Sequence, residues 1–148
     1  MNTELMFSSQ TDKWNTPLDL YNFLNAEFNF ELDPCPAEGI NNGLLIPWNK
    51  TTYINPPYGR GIGKWVEKGY ESSLNGFTMV MLLPARTDTQ WWHDYCMKAS
   101  EIRFIRGRLH FNEYSTGAPF PSAIVIFRGG ERVCLPRFYS IDRVGQKI

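Results

Sequence analysis

Tyr53-Ile54-Asn55-Pro56-Pro57-Tyr58 closes a short apolar run, residues 51–54, with a polar residue, two prolines and an aromatic ring. The run reads as a strand, and the tetrad as the loop that leaves its carboxyl end. A residue that precedes proline is held extended, so Asn55 and Pro56 are both restricted. Proline also fixes its own φ and brings no competing N–H. The loop is therefore stiff and rich in acceptors. The Asn55 side-chain oxygen is one acceptor, and the Pro56 carbonyl is another. Together they can take the N–H bonds of a planar amino nitrogen and push its lone pair out of conjugation. Tyr58 offers a flat face for stacking a planar substrate. The residue types suit methyl transfer to such a nitrogen.

Upstream, Thr16-Pro17 reads as a helix start, with Thr16 as N-cap and Pro17 at the first helical position. Leu20, Phe23, Leu24 and Phe28 form the buried face of that helix. Phe28, Phe30 and Leu32 alternate as a strand that ends at Asp33, before Pro34. Residues 36–50 read as loop. Downstream, Ile62, Trp65, Val66, Gly69, Tyr70 and Leu74 mark an amphipathic helix. Residues 78–83 form an apolar strand, 88–99 a helix, 102–106 a strand and 109–114 another. Residues 122–128 read as a central strand and 132–141 as an edge strand broken at Pro136. Strands that alternate with helices predict a mostly parallel α/β sheet with helices on both faces. Ligands then bind at the carboxyl ends of the strands, where Asp33 and Asn55 both fall.

Six segments resemble the phage-type DNA N6-adenine methyltransferases, which use S-adenosylmethionine. They are Trp14-Asn15-Thr16-Pro17, Phe30-Glu31-Leu32-Asp33-Pro34-Cys35, Asn55-Pro56-Pro57-Tyr58, residues 82–89, residues 104–109 and residues 118–123. The resemblance implies a truncated, Rossmann-like methyltransferase sheet. The ordinary fold places two strand–helix units between the cofactor strand and the Asn-Pro-Pro-Tyr strand. Only the nineteen residues 34–52 lie between Asp33 and Tyr53 here, and one βαβ unit needs about 30. The usual Gly-x-Gly turn is replaced by Asp33-Pro34-Cys35-Pro36. The wall beside the cofactor adenosine must come from the 36–50 loop, the C-terminal segment or a second subunit, which would make a homodimer.

The resemblance also implies roles. Asp33, before Pro34, would pair with the cofactor ammonium, or cap a turn. Thr16 and Pro17, at a helix N-terminus, would hold its carboxylate, or only cap the helix. Trp14 lines the cofactor pocket or packs. Asn55, Pro56, Pro57 and Tyr58 would hold a flipped adenine beside the donor methyl, and Pro34 and Asn55 would also touch the cofactor. Arg60, Lys64, Arg86, Arg106 and Arg108 would reach DNA phosphates or a base edge, or form ordinary surface. The competing readings are N4-cytosine methylation, methylation of RNA or of a protein amide, and an inactive DNA-binding module.

Composition narrows the field. A chain of 148 residues makes one domain, with residues 1–12 expected to be loose. Fifteen basic and fifteen acidic residues cancel, so non-specific DNA affinity should be modest. From Arg103 onward eight basic residues face three acids, a local basic region. No apolar run is long enough to span a bilayer, and the first ten residues lack a secretory pattern. Cys35, Cys96 and Cys134 are scattered, which fits a reducing cytoplasm; the resemblance implies that of a bacterial host. Neither these nor His93 and His110 show metal-ligand spacing, so no metal is expected.

Overall fold

A computed structural model describes residues 15–36, 42–111 and 117–148. Trp14, the N-terminal stretch 1–12 and part of the 36–50 loop lie outside the described residues.

Helix α1 (Leu18–Phe28) comes first, followed by a short 3-10 turn, Gly43–Leu45. Strand β1 (Thr52–Ile54), helix α2 (Ile62–Leu74) and strand β2 (Met79–Pro84) form the next unit. Helix α3 (Gln90–Asp94) and a 3-10 turn (Cys96–Lys98) lead to β3 (Glu101–Ile105). Strands β4 (Ser122–Phe127) and β5 (Arg137–Ile141) complete the sheet. Its order is β1-β2-β4-β3-β5.

The sheet is mixed, which corrects the expectation of a mostly parallel one. Strands β1 and β2 pair parallel, as do β3 and β5. Strand β4 runs antiparallel to both β2 and β3. The fully buried run Ser122–Phe127 reported coverage on both faces, which says nothing of direction. A parallel neighbour needs a crossover, usually helical. The described residues between β3 and β4 hold no helix, and the chain doubles back.

Pleating assigns the two faces. Successive strand residues point to opposite sides. A Cβ on Gly69 of α2 would come within 2.7 Å of Met81 Sδ, so α2 lies close against the Met81 side. The Tyr70 ring meets Phe127 on that same side, edge-on at 6.0 Å. Tyr53 faces the other way and meets Tyr21 of α1 edge-on at 5.2 Å. Helices therefore cover both faces. Val80, Leu82, Ile124 and Ile126 form the buried centre.

An ion network, buried at Arg103 and Glu101, ties α1 to the sheet through the exposed Glu27. Arg103 of β3 donates to both Glu27 oxygens, at 2.8 and 2.7 Å, and also to Glu101. Arg128 donates to Glu101 at 3.1 Å. Hydrogen bonding to Arg103, foremost, lowers the Glu27 carboxyl below its usual range. Burial alone would raise Glu101, but the hydrogen bonds and charges of Arg103 and Arg128 outweigh it and lower that carboxyl too.

Other elements differ from expectation. The strand predicted to end at Asp33 is one bridge, Leu32 to Thr52. The 88–99 helix breaks into α3 and a 3-10 turn. Thr89 caps α3 by accepting from Trp92 N at 3.3 Å. No strand forms at 109–111, and residues 112–116 lie outside the described residues. The edge strand forms only after Pro136, as β5.

Candidate active site

Four strands, β1, β2, β3 and β5, run in one direction and β4 in the other. Their ends therefore assemble a single edge. Residues 55–58 leave β1 there, Ala85 and Arg86 leave β2, and residues 106–111 leave β3. Residues 118–121 enter β4 and Asp142 leaves β5 at the same edge. Asp33 joins them, because the Leu32–Thr52 bridge is parallel. Asp33 and Asn55 thus leave the sheet at the same edge.

Asn55 is 5 % exposed and Pro56 is buried. Asn55 Nδ2 donates to Thr16 Oγ1 at 3.1 Å. The same Oγ1 lies 2.6 Å from the Tyr53 phenol. Thr16 is thus tied to β1 and its loop. It does not cap α1, whose N-cap is Pro17, with no side-chain cap hydrogen bond. This overturns the reading of Thr16 as N-cap. The helix starts one residue late because proline at 17 takes an extended ψ of 132°.

Asp33 Oδ1 accepts from Cys35 N at 3.0 Å, so this carboxylate does close a turn. Its charge also acts on two nearby phenols. Burial first, and the Asp33 charge after it, raise the Tyr21 phenol above its ordinary range. Burial raises Tyr53 further still; the Thr16 hydrogen bond opposes this, and Asp33 and Tyr21 add to it. Thr16, Tyr53 and Asn55 therefore form one hydrogen-bonded group, with the Asp33 charge acting on its phenol.

The floor of this region is packed against α2. A Cβ on Gly43 would sit 2.0 Å from the Pro34 carbonyl oxygen, so only glycine lets the 43–45 turn lie on Pro34. Trp48 Nε1 donates to the Gly43 carbonyl at 2.9 Å. Lys68 of α2 donates to the Leu44 carbonyl at 2.6 Å and to the Ile46 carbonyl. The described part of the 36–50 loop thus forms a fixed flank beside Asp33-Pro34.

Tyr58 is 6 % exposed, and its hydroxyl donates to the Leu82 carbonyl at 3.0 Å. Burial, chiefly, keeps its phenol protonated well above the usual range. The ring meets Phe120 edge-on at 5.3 Å and Phe111 at 6.3 Å. The Arg86 guanidinium lies 6.0 Å from the Phe120 ring centre. An aromatic cluster with a cation at its rim therefore borders the tetrad. Phe111, Phe120 and Tyr53 had received no role from sequence. The signal for Phe120 was its place between Pro119 and Pro121; Tyr53 gave none beyond an apolar strand.

Among the predicted DNA contacts, Arg60 and Lys64 are exposed where the tetrad loop enters α2, and Arg86 and Arg106 are exposed at the strand ends. Arg108 donates to the Ala118 carbonyl at 3.2 Å and so also braces the aromatic loop. Arg143, counted in the sequence only as charge, approaches His110 at 3.4 Å on the same edge. Among the described residues no group of three His, Cys, Asp or Glu is placed to hold a metal ion. No described helix is long and apolar enough to cross a membrane.

Residues 4–131 match the family model described as DNA N-6-adenine-methyltransferase (Dam). A DNA N-6-adenine-methyltransferase of Haemophilus phage HP1 (strain HP1c1) is 31 % identical over 124 residues, which cover 74 % of this chain and 71 % of that one. A protein of the same description from Escherichia phage T1 is 29 % identical over 111 residues, or 66 % of this chain; the match spans 46 % of the phage T1 protein. No solved structure matches.

Proposed function

Since the chain belongs to the DNA N-6-adenine-methyltransferase family, we propose that residues 55–58 hold an extrahelical adenine while its N6 is methylated. The observation that carries this reading is the placement of Asn55. It leaves β1 at the shared strand edge, buried, with its amide nitrogen committed to Thr16. In this reading the amide oxygen would serve the target amine, together with the Pro56 carbonyl. Both accept N–H bonds, localise the lone pair on N6 and take part in removing its proton as the new bond forms. Positioning supplies much of the rate. The alternatives of N4-cytosine, RNA or protein methylation, and of an inactive module, gain no support from the family.

The family implies S-adenosylmethionine, which when bound supplies an electrophilic methyl group on a sulfonium. The residues present suit it chemically. Asp33 would pair with the ammonium. The Thr16 hydroxyl and the α1 N-terminus, with Pro17, would take the carboxylate. The 43–48 segment beside Pro34 would stand on the adenosine side, in place of the absent strand–helix units. A truncated methyltransferase sheet is the fold this implies. Where a second subunit completes the wall instead, light scattering would show a dimer, and a monomer binding one cofactor per chain would exclude it.

Tyr58 and Phe120 would sandwich or edge the flipped base, and opening their mutual contact would admit it. Arg60, Lys64, Arg86, Arg106 and Arg108 would follow the DNA backbone around that opening. Both relatives are phage proteins, and a phage or prophage enzyme acting in the host cytoplasm fits the chain. Marking phage DNA against restriction, or altering its expression, would be its role.

The test offers unmethylated DNA, RNA and protein with methyl-labelled cofactor and identifies the labelled product by mass spectrometry. N6-methyladenine in DNA is the expected product. N4-methylcytosine would keep the residue roles and change the base. Label only on RNA or protein would overturn the proposal.

A further inference from the structure

A buried hydroxyl stands without a partner at the active-site edge. Ser122 opens β4 and is 2 % exposed, and its Oγ makes no hydrogen bond among the described residues. The neighbourhood explains this. Its ladder partner on β2 is Pro84, and Pro119 and Pro121 precede it. Prolines bring no N–H donor. A buried hydroxyl left unpaired costs the fold free energy, and alanine would fill the same place without that cost. The hydroxyl therefore suits a partner that arrives with a ligand.

Register puts Ser122 on the target side of the edge. Strand alternation sets it on the face of Ile124 and Ile126. Ile126 pairs with Val80, and Val80 with Tyr53, so this is the face on which Tyr53 meets Tyr21 of α1. Strand order then ranks the edge as Asp33, Asn55, Pro84 and Ser122. Strands β1 and β2 thus separate Ser122 from Asp33, the end assigned to the cofactor. The aromatic cluster lies at the Ser122 end. Phe120 stands two residues before it, and that ring meets Tyr58 at 5.3 Å and Phe111 at 6.0 Å. The Tyr58 hydroxyl bonds the carbonyl of Leu82, which pairs with Ile124, the next residue of β4 on the Ser122 face.

We propose that Ser122 contacts the target base, its hydroxyl donating a hydrogen bond to a ring nitrogen of the flipped adenine. The direction follows from the base. Apart from the N6 amine, the edges of adenine offer only acceptors, N1, N3 and N7. As Tyr58 and Phe120 part to admit the base, Ser122 is uncovered at the β4 end of the pocket. The base satisfies a group that the fold leaves unpaired, so the bond serves binding and transfer and contributes nothing to folding. The assignment rests on the reading of residues 55–58 as the holder of the target adenine.

The test compares wild type with Ser122→Ala by thermal melting without DNA and by kcat/KM for methyl transfer. The DNA carries adenine throughout, or its 1-deaza, 3-deaza or 7-deaza analogue in its place. Ser122→Ala should melt at the wild-type temperature or above it, since it loses only an unpaired hydroxyl. Its kcat/KM on ordinary DNA should fall about ten-fold, the loss of one hydrogen bond. One of the three analogues should cost the wild type a similar factor beyond what it costs Ser122→Ala, because the variant has already lost that bond. Effects of the analogue on flanking bases are common to both enzymes and cancel. Wild-type kcat/KM in Ser122→Ala overturns the proposal. So do losses that multiply in full for all three analogues, or a lower melting temperature with kcat/KM unmoved, which would mark a structural hydroxyl. A wild type that methylates no adenine in DNA overturns the reading of the site, and this assignment with it.

Discussion

Arg103 on β3 grips Glu27 on α1 through two parallel hydrogen bonds of 2.8 and 2.7 Å. The arginine is 2 % exposed and also bonds Glu101, which Arg128 shares. This fork sets the position of α1 across the sheet, and the chain just before α1 carries Thr16. The fork thus anchors α1, and with it the segment that carries Thr16, to the sheet. Replacing Arg103 with Met leaves Glu101 buried with a weaker partner. The variant should lose about 3–5 kcal/mol of stability, the usual cost of breaking a buried pair. Urea unfolding with an unchanged m-value checks this; a loss well under 1 kcal/mol would show that the network is surface-like.

Acid should act on the same network. Glu27 and Glu101 both have carboxyls lowered below the usual 4.5. The unfolded chain takes up these protons at higher pH than the fold does. Their stabilisation is therefore complete above about pH 4.5 and is lost as pH falls through the lowered folded values. Melting temperature measured from pH 7 down to pH 3 should fall most steeply below 4.5. In Arg103→Met the slope should flatten.

Asp33→Asn tests the cofactor end of the crevice. The substitution keeps an acceptor for Cys35 N and removes the charge. Cofactor affinity should fall about ten-fold or more, the range for a hydrogen bond to a charged group. Calorimetry reads this directly, and melting without cofactor should change little. Unaltered affinity would reduce Asp33 to a turn residue.

Arg86→Ala and Arg106→Ala should raise KM for DNA and leave cofactor affinity alone. If each touches one phosphate, the slope of log affinity against log salt should shrink by about 0.9 per residue. Arg108→Ala should behave differently. Its bond to the Ala118 carbonyl braces the Phe111–Phe120 loop, so kcat should fall with it. A salt slope unmoved by all three would place the DNA elsewhere.

The parts of this site that were legible in sequence are those made by neighbours in the chain. Asn55, Pro56 and Tyr58 announce a rigid acceptor loop by their order alone. The gap between Asp33 and Tyr53 was too short for the missing strands, and the described residues there show one bridge, Leu32 to Thr52, and a packed turn. What failed depends on distance. Thr16 looked like a helix cap because Pro17 follows it; its hydroxyl is claimed by Tyr53 and Asn55, 37 and 39 positions away. The run Ser122–Phe127 showed that both its faces are covered, and nothing in it records that β4 points against its neighbours. Tyr58 meets Phe111 and Phe120 only because β4 returns between β2 and β3. Burial is written locally, whereas strand direction and side-chain partners follow from how the connections close.

The central claim is that Asn55 accepts the target amine and is needed for the transfer itself. Its most direct test is a single-turnover rate on adenine-containing DNA for wild type and Asn55→Ala, with cofactor affinity measured alongside. The account predicts labelled N6-methyladenine from wild type and a rate at least about 100-fold lower in Asn55→Ala, as for a lost transition-state hydrogen-bonding group. Cofactor binding should stay within a few-fold, in keeping with the loss of one contact to Thr16. An Asn55→Ala enzyme that still methylates adenine at near wild-type rate, with cofactor bound, would contradict it.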